Sequence, residues 1–253
     1  MNSRQRDILD RINSSGRITI EGEAQFFGVS EMTIRRDIVF LEKQGLAVQV
    51  KGGAMPKARI CETSSAESDS TVKAAIAEKA IELLEQMPEV STLLLSTGTT
   101  TLAFAKKLAL VNRSFTVLTN SIPIASALFQ TQVKVILTGG ELRTNSMDMV
   151  GPAAEKYLAD YHVDLLITGC DGANAEEGFY TSDLNLASFE KLSVKISDRV
   201  MILTESLKFK RKSLAKFAEL SDVEFVVTDD RLKKLDREFI LRSGIKCEQV
   251  NLR

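Results

Sequence analysis

Two sets of residues have types and spacings suited to binding chemistry, and they lie far apart in the chain. The first is Ser30, Met32, Thr33, Arg35 and Arg36 in the run SEMTIRRDIVFLEKQG, residues 30–45. Arginine forks pair with guanine edges or phosphates, and threonine reaches a phosphate or a thymine methyl. The second set is four loops rich in small and polar residues: Ser96-Thr97-Gly98-Thr99-Thr100-Thr101, Thr119-Asn120-Ser121, Thr138-Gly139-Gly140-Glu141 and Gly169-Cys170-Asp171-Gly172. The first loop, between a strand and a helix, offers backbone N–H groups, hydroxyls and a helix dipole as an anion cradle. Glycines admit close approach, and Asn120, Glu141 and Asp171 can hydrogen-bond sugar hydroxyls. Lys208, in ESLKFKRK, can add positive charge there, or it is one more solvated lysine beside Lys210, Arg211 and Lys212.

The elements that must position the first set are legible. Ser30 is an N-cap residue, and Ile34, Ile38 and Leu41 at i, i+4 and i+7 predict one buried stripe. Gly45 stands where a left-handed residue commonly closes a helix. Upstream, Glu21 to Phe27 reads as a short helix, followed by Gly28-Val29 as a turn. Two adjacent arginines alone would read as solvated charge. Helix, tight turn and capped helix together are the helix-turn-helix layout, with the second helix as reader. Before it, Ser3 to Ser14 predicts an amphipathic helix ended by Gly16, and RITI (17–20) a short strand. After it, LAVQVKGGA alternates as a β-wing, whose Lys51 is either a DNA-backbone contact or a free surface lysine.

Residues 58–71 form an expected linker, part of a stretch with Pro56, four serines and mixed charges that buries little apolar area. From 72 to 253 helical runs alternate with short apolar strands. Helices are expected at 72–86, 100–110, 121–129, 152–160, 184–198 and 231–242. Strands are expected at 91–96, 115–118, 133–137, 163–168, 199–203, 223–228 and 246–250. This pattern predicts an α/β domain with a mainly parallel sheet. In such sheets ligands sit at the carboxyl ends of the strands, where all four loops fall. Small domain 1–57, linker 58–71 and body 72–253 complete the expected organisation.

Charge fits that division. Residues 1–60 carry ten basic against seven acidic side chains, although the whole chain has a net charge of -1. A basic head on an acidic body suits a modular nucleic-acid binder. Three cysteines, Cys61, Cys170 and Cys247, are widely separated, and the single His162 opens a strand, so a Cys/His zinc site is not expected. No cofactor is called for. The amino end has no apolar leader, no apolar run is long enough to span a membrane, and a reducing, cytoplasmic protein is expected.

VSEMTIRRD, LEKQG and GGA, followed by GTTT, LTNS, TGGEL and CDGAN, together resemble the DeoR family of bacterial transcriptional regulators over essentially the whole chain. The resemblance implies an α+β winged helix-turn-helix joined to an α/β sensor domain related to the ribose-5-phosphate isomerase fold. It implies that Ser30, Thr33, Arg35 and Arg36 lie on the DNA-reading helix. It also implies that Gly98, Thr99, Thr100, Asn120, Gly139, Gly140 and Asp171 border a sugar-phosphate site, to which the loop chemistry adds Ser96, Glu141 and Lys208. Members usually repress, bind a double-stranded operator, form homodimers or homotetramers, and release DNA when a phosphorylated sugar binds. Three departures stand out. Ser96 occupies a position where the family commonly has Asp, Glu205-Ser206-Leu207-Lys208-Phe209 replaces D-S-S-K-F, and Lys51 replaces His or Tyr before the wing glycines.

Two other readings are open at this stage. The body could be a sugar-phosphate isomerase or deaminase with an accessory DNA module, using Glu141 or Asp171 for proton transfer, although Ser96 removes the natural carboxylate. It could also be a sensor reduced to an oligomerisation scaffold.

Overall fold

The computed structural model describes residues 1, 3–44, 46–56 and 67–252, in two compact units, 1–60 and 61–253. The first unit runs α1 (Ser3–Ser15), β1 (Ile18–Thr19), α2 (Ile20–Phe27), α3 (Glu31–Lys43), β2 (Ala47–Val50) and β3 (Gly53–Pro56). Ile34, Ile38 and Leu41 of α3 are buried against Ile8 and Ile12 of α1 and Ala47 and Ala54 of the hairpin, which is the expected stripe. The RITI strand is shorter than expected. The Thr19 hydroxyl accepts from Gly22 N at 3.2 Å and caps α2, so Ile20 is already helical. Gly28 closes α2 at φ 63°, a left-handed conformation that glycine adopts without a Cβ penalty. The expected role of Gly45 lies outside the described residues.

The strands of this unit form one antiparallel sheet in the order β1-β3-β2. Only glycine fits at position 53, because a Cβ there would lie 1.9 Å from the Ile18 carbonyl oxygen. That contact explains the second wing glycine. Two buried acids are paired: Asp37 accepts from Arg4 at 2.7 Å and Gln5 at 2.9 Å, and Glu23 accepts from Arg11 at 2.7 Å. The Asp37 bonds tie α1 to α3.

The second unit opens with α4 (Glu67–Glu85), so five residues expected in the linker are helical. There follow β4 (Thr92–Leu95), α5 (Thr99–Leu108), β5 (Thr116–Thr119), α6 (Ile122–Leu128), β6 (Lys134–Leu137), β7 (Glu141–Arg143), β8 (Asp148–Val150) and α7 (Pro152–Leu158). Next come β9 (Val163–Thr168), β10 (Gly172–Asn174), β11 (Gly178–Thr181), α8 (Leu184–Lys195), β12 (Ser197–Leu203) and a 3-10 turn, Ser206–Lys210. The chain ends with β13 (Ala215–Ala218), β14 (Phe225–Asp229), α9 (Lys234–Arg242) and β15 (Lys246–Val250).

Seven strands form one parallel sheet in the order β15-β14-β12-β9-β4-β5-β6. Period-two alternation divides its side chains between two cores. Leu93, Leu95, Leu165, Ile167 and Met201 meet α4, α5 and α6 on one face. Leu94, Leu166, Ile202 and Val226 meet α7, α8 and α9 on the other. From β4 the order runs to β5 and β6 on one side and to β9, β12, β14 and β15 on the other. The direction therefore reverses between β4 and β9, the place where open α/β sheets hold ligands.

Two small antiparallel sheets were not expected: the hairpin β7-β8 and the ribbon β10-β11-β13. Helix α8 and strand β12 meet at Ile196, so the expected 184–198 helix ends three residues early. No described helix is long and apolar enough to cross a membrane.

Candidate functional sites

In the first unit, α3 presents its amino-terminal half outward. Ser30 caps it, accepting from Thr33 N at 3.3 Å, and the Ser30 and Thr33 hydroxyls lie 2.9 Å apart. Met32 is 60% exposed, and Arg35 and Arg36 are also open to solvent. Thr33 is half-buried, with its hydroxyl committed to the cap. Arg35 meets Glu31 at 3.7 Å across one turn, and both side chains are about half exposed. Such a pair contributes little in water and can be exchanged for a phosphate. Lys51 stands exposed at the wing turn, its carbonyl accepting from Arg17 at 3.4 Å.

In the second unit, the loops after β4, β9 and β12 open onto one cavity of about 430 Å³ at the switch point. Helix α5 begins at its rim. Its cap, Gly98, has φ 152° and supplies no side-chain bond, so the first N–H groups of α5 are left without a side-chain cap where Thr99, Thr100 and Thr101 line the cavity. Lys208 enters from the 3-10 turn and Lys73 from α4. Asp171 enters from the loop after β9. Its Oδ2 accepts from Ser182 N at 2.8 Å, Ser182 Oγ at 2.6 Å and Thr181 Oγ1 at 3.2 Å. Burial would raise its pKa, but the Ser182 bonds and the charge of Lys208 outweigh that and hold it below the ordinary range.

The structure thus brings together five of the ten residues expected at this site: Gly98, Thr99, Thr100, Asp171 and Lys208. Ser96 and Asn120 are fully buried behind the cavity wall. Asn120 braces the loop, accepting from Thr97 N at 3.1 Å and donating to Met149 O at 3.1 Å. Gly139, Gly140 and Glu141 do not line the cavity. A Cβ on Gly140 would lie 2.7 Å from Val150 O and 2.8 Å from the Ala154 Cβ, so this glycine serves close packing. Glu141 is an exposed residue of the β7-β8 hairpin.

Several lining groups had no sequence signal. Arg143, on β7, donates to Asp148 at 2.8 and 2.6 Å and meets Asp183, the N-cap of α8, at 2.9 Å. It locks the hairpin to α8 at the cavity edge. Lys73 meets Glu205 at 3.7 Å, both largely buried. Glu190 of α8 is the other. Its Oε1 accepts from the Ser96 hydroxyl and from Thr168 Oγ1 at 2.9 Å, and burial pushes its pKa up to about 7 against those bonds. A carboxyl carried by α8 therefore meets the Ser96 hydroxyl at the end of β4. Burial pushes the Cys170 thiol up to about 12, which makes it inert as a nucleophile.

An open arginine-bearing helix in a helix-turn-helix, in one chain with an α/β unit that holds a polar cavity, defines a DNA-binding transcriptional regulator. The chain belongs to the DeoR family: the DeoR C terminal sensor domain matches residues 68–230 and the DeoR-like helix-turn-helix domain matches 4–58. It is 30% identical, over 96% of its length and 91% of the relative's, to a provisionally named aga operon transcriptional repressor of Escherichia coli O157:H7. It is 31% identical, over 96% of its length and 95% of the relative's, to the HTH-type transcriptional regulator GlpR of Haloferax volcanii. Against the glycerol-3-phosphate regulon repressor of Escherichia coli K12 the identity is 28%, covering 89% of this chain and 90% of that one. Ribose 5-phosphate isomerase A of Methanocaldococcus jannaschii is similar at 15% identity and a TM-score of 0.41, over 56% of this chain and 55% of that one. The isomerase or deaminase alternative finds no support, because both matched domains are those of regulators.

Proposed function

We propose that this regulator represses an operon of carbohydrate use in the cytoplasm and leaves its operator when a phosphorylated sugar or polyol fills the cavity. The observation that carries the reading is the convergence of the open end of α5, Lys208 and Asp171 on one cavity of about 430 Å³. That size suits a ligand of hexose-phosphate dimensions. The phosphate would lie on the N–H groups of Thr99, Thr100 and Thr101 with Lys208 beside it. Asp171 Oδ2 is held by three donors, which leaves Oδ1 for a ligand hydroxyl. A relative named for the glycerol 3-phosphate regulon supports the phosphorylated-polyol class.

Ser30, Met32, Thr33, Arg35 and Arg36 would enter a major groove, with Lys51 on the flanking backbone. The boundary between reader and sensor would fall within 58–66. A two-fold dimer, alone or paired into a tetramer, would place two reading helices on half-sites a whole number of turns apart. Release follows if the ligand binds more tightly to the dimer arrangement that fits the operator poorly.

The test is operator affinity, by fluorescence anisotropy on upstream DNA fragments, against a panel of phosphorylated sugars and their unphosphorylated parents. At least one phosphorylated member should weaken binding by about fivefold or more, the usual lower range of coupling, and its parent should not. If no member alters affinity and none stabilises the protein to heat, the effector reading fails and the scaffold reading replaces it.

A further inference from the structure

Two polar atoms at the cavity have no hydrogen-bond partner although both are buried: Glu190 Oε2 and Thr101 Oγ1. Both residues line the cavity, Thr101 from the first turns of α5 and Glu190 from α8. Glu190 Oε1 is held by Ser96 and Thr168, which fixes the carboxyl plane, and Glu190 is 2% exposed. Thr101 is fully buried. Buried polar atoms are normally paired, so two orphans at one cavity are unlike the rest of this unit, where the only other one among the described residues is Thr228 Oγ1.

We propose that Glu190 and Thr101 form a second subsite, which takes an uncharged hydroxyl of the ligand while the α5 N–H groups take its anionic end. The inference rests on the effector reading above and adds the part that recognises the carbon chain. The chemistry suits a hydroxyl and not a second anion. A hydroxyl can donate to a carboxylate oxygen, or accept from a protonated one, and at the same time accept from or donate to Thr101. A second phosphate or carboxylate placed there would meet the Glu190 carboxyl, whose own partners, the Ser96 and Thr168 hydroxyls, carry no positive charge. The ligand class is therefore a monophosphorylated polyol or sugar, with its carbon chain lying along α8. A ligand hydroxyl held there gives both atoms a partner that the protein does not supply, so a ligand that reaches it gains over one that does not.

The experiment measures dissociation constants of the full chain, by calorimetry, for inorganic phosphate, glycerol 3-phosphate, ribose 5-phosphate, glucose 6-phosphate and glucitol 6-phosphate. The readout is the advantage of the tightest organic phosphate over inorganic phosphate. We expect about tenfold or more in the wild type, the scale of one well-placed hydrogen-bonding pair. Thr101→Val should reduce that advantage by about tenfold, Glu190→Leu should do the same, and Glu190→Gln should retain most of it. Thr101→Val keeps its shape and its N–H, so it serves if Glu190→Leu fails to fold. If inorganic phosphate and all four organic phosphates leave the wild type unbound, the effector reading falls and this inference with it. If inorganic phosphate binds but the organic phosphates bind no tighter, or if Thr101→Val keeps the full advantage, the inference alone is overturned.

Discussion

Replacing Glu190 by glutamine should change how the sensor unit's stability depends on pH. Glu190 is 2% exposed, and burial, only partly offset by the Ser96 and Thr168 bonds, lifts its pKa from 4.5 to about 7. A folded-state pKa above the unfolded one means that the native state holds its proton over a range in which the unfolded chain has lost it. The associated stability is complete below about pH 4.5 and is lost as pH rises through about 7. At about 1.4 kcal/mol for each unit, the full loss is on the order of 3 kcal/mol. Roughly three quarters of that falls between pH 5 and pH 8, because part is already gone at pH 5. Glutamine keeps the size and can still accept from Ser96 and Thr168, but it does not titrate. The stability of Glu190→Gln relative to wild type should therefore rise by roughly 2–3 kcal/mol from pH 5 to pH 8, or roughly 5–10 °C in Tm for a domain of this size. Urea unfolding of both proteins at half-unit pH steps, followed by circular dichroism, reads the difference directly. Asp171, Asp229 and Asp164 all titrate below their ordinary values, so their contributions fall outside this window. Parallel pH profiles for the two proteins would show that Glu190 is not held protonated by its surroundings.

Two further predictions concern the reading unit. Arg35→Ala or Arg36→Ala should cost about 1–3 kcal/mol of operator affinity, measured by anisotropy against random duplex, if the residue reads a base. A residue that meets only phosphate should instead weaken both duplexes together and lower the salt slope by about one; no change from either substitution would remove α3 from the DNA. Gly53→Ala should destabilise the first unit by about 1–3 kcal/mol, because the new Cβ meets backbone of Ile18 that has no rotamer to give. Unfolding of a fragment of residues 1–60, or loss of DNA binding by the full chain on mild heating, reads that effect.

What was legible in the sequence is what short-range chemistry decides. Ser30 before Ile34, Ile38 and Leu41 carries its own cap and stripe, so α3 could be placed to within a residue at its start. The parallel sheet was legible for the same reason, since each strand is a compact apolar run. The missed strands are Glu-Leu-Arg, Gly-Ala-Asn and similar three- or four-residue pieces, which exist only because a partner strand lies beside them. At the cavity, the glycine-threonine loop and Asp171 declared themselves through turn chemistry at strand ends. Gly139 and Gly140 look the same on paper, yet Gly140 makes room for the Val150 carbonyl and Ala154. Arg143, Lys73 and Glu190 reach the cavity from elements far apart in the chain, and nothing in their neighbours separates them from surface charge. Ser96 misled most instructively. Its departure from the family pattern read as a lost carboxyl, whereas its hydroxyl holds a carboxyl brought in by α8.

The pairing of β4 with β9 has a consequence for how the molecule comes into being. Residue Leu94 finds Leu166 across the ladder, so the central seam of the sheet joins stretches separated by some seventy positions. The reading unit needs nothing so remote; its farthest sheet partners, Ile18 and Ala54, are neighbours by comparison. Contacts that span more chain form more slowly, and chains are synthesised from the amino end. A molecule leaving the ribosome would thus have its helix-turn-helix folded before the sheet that holds its cavity exists.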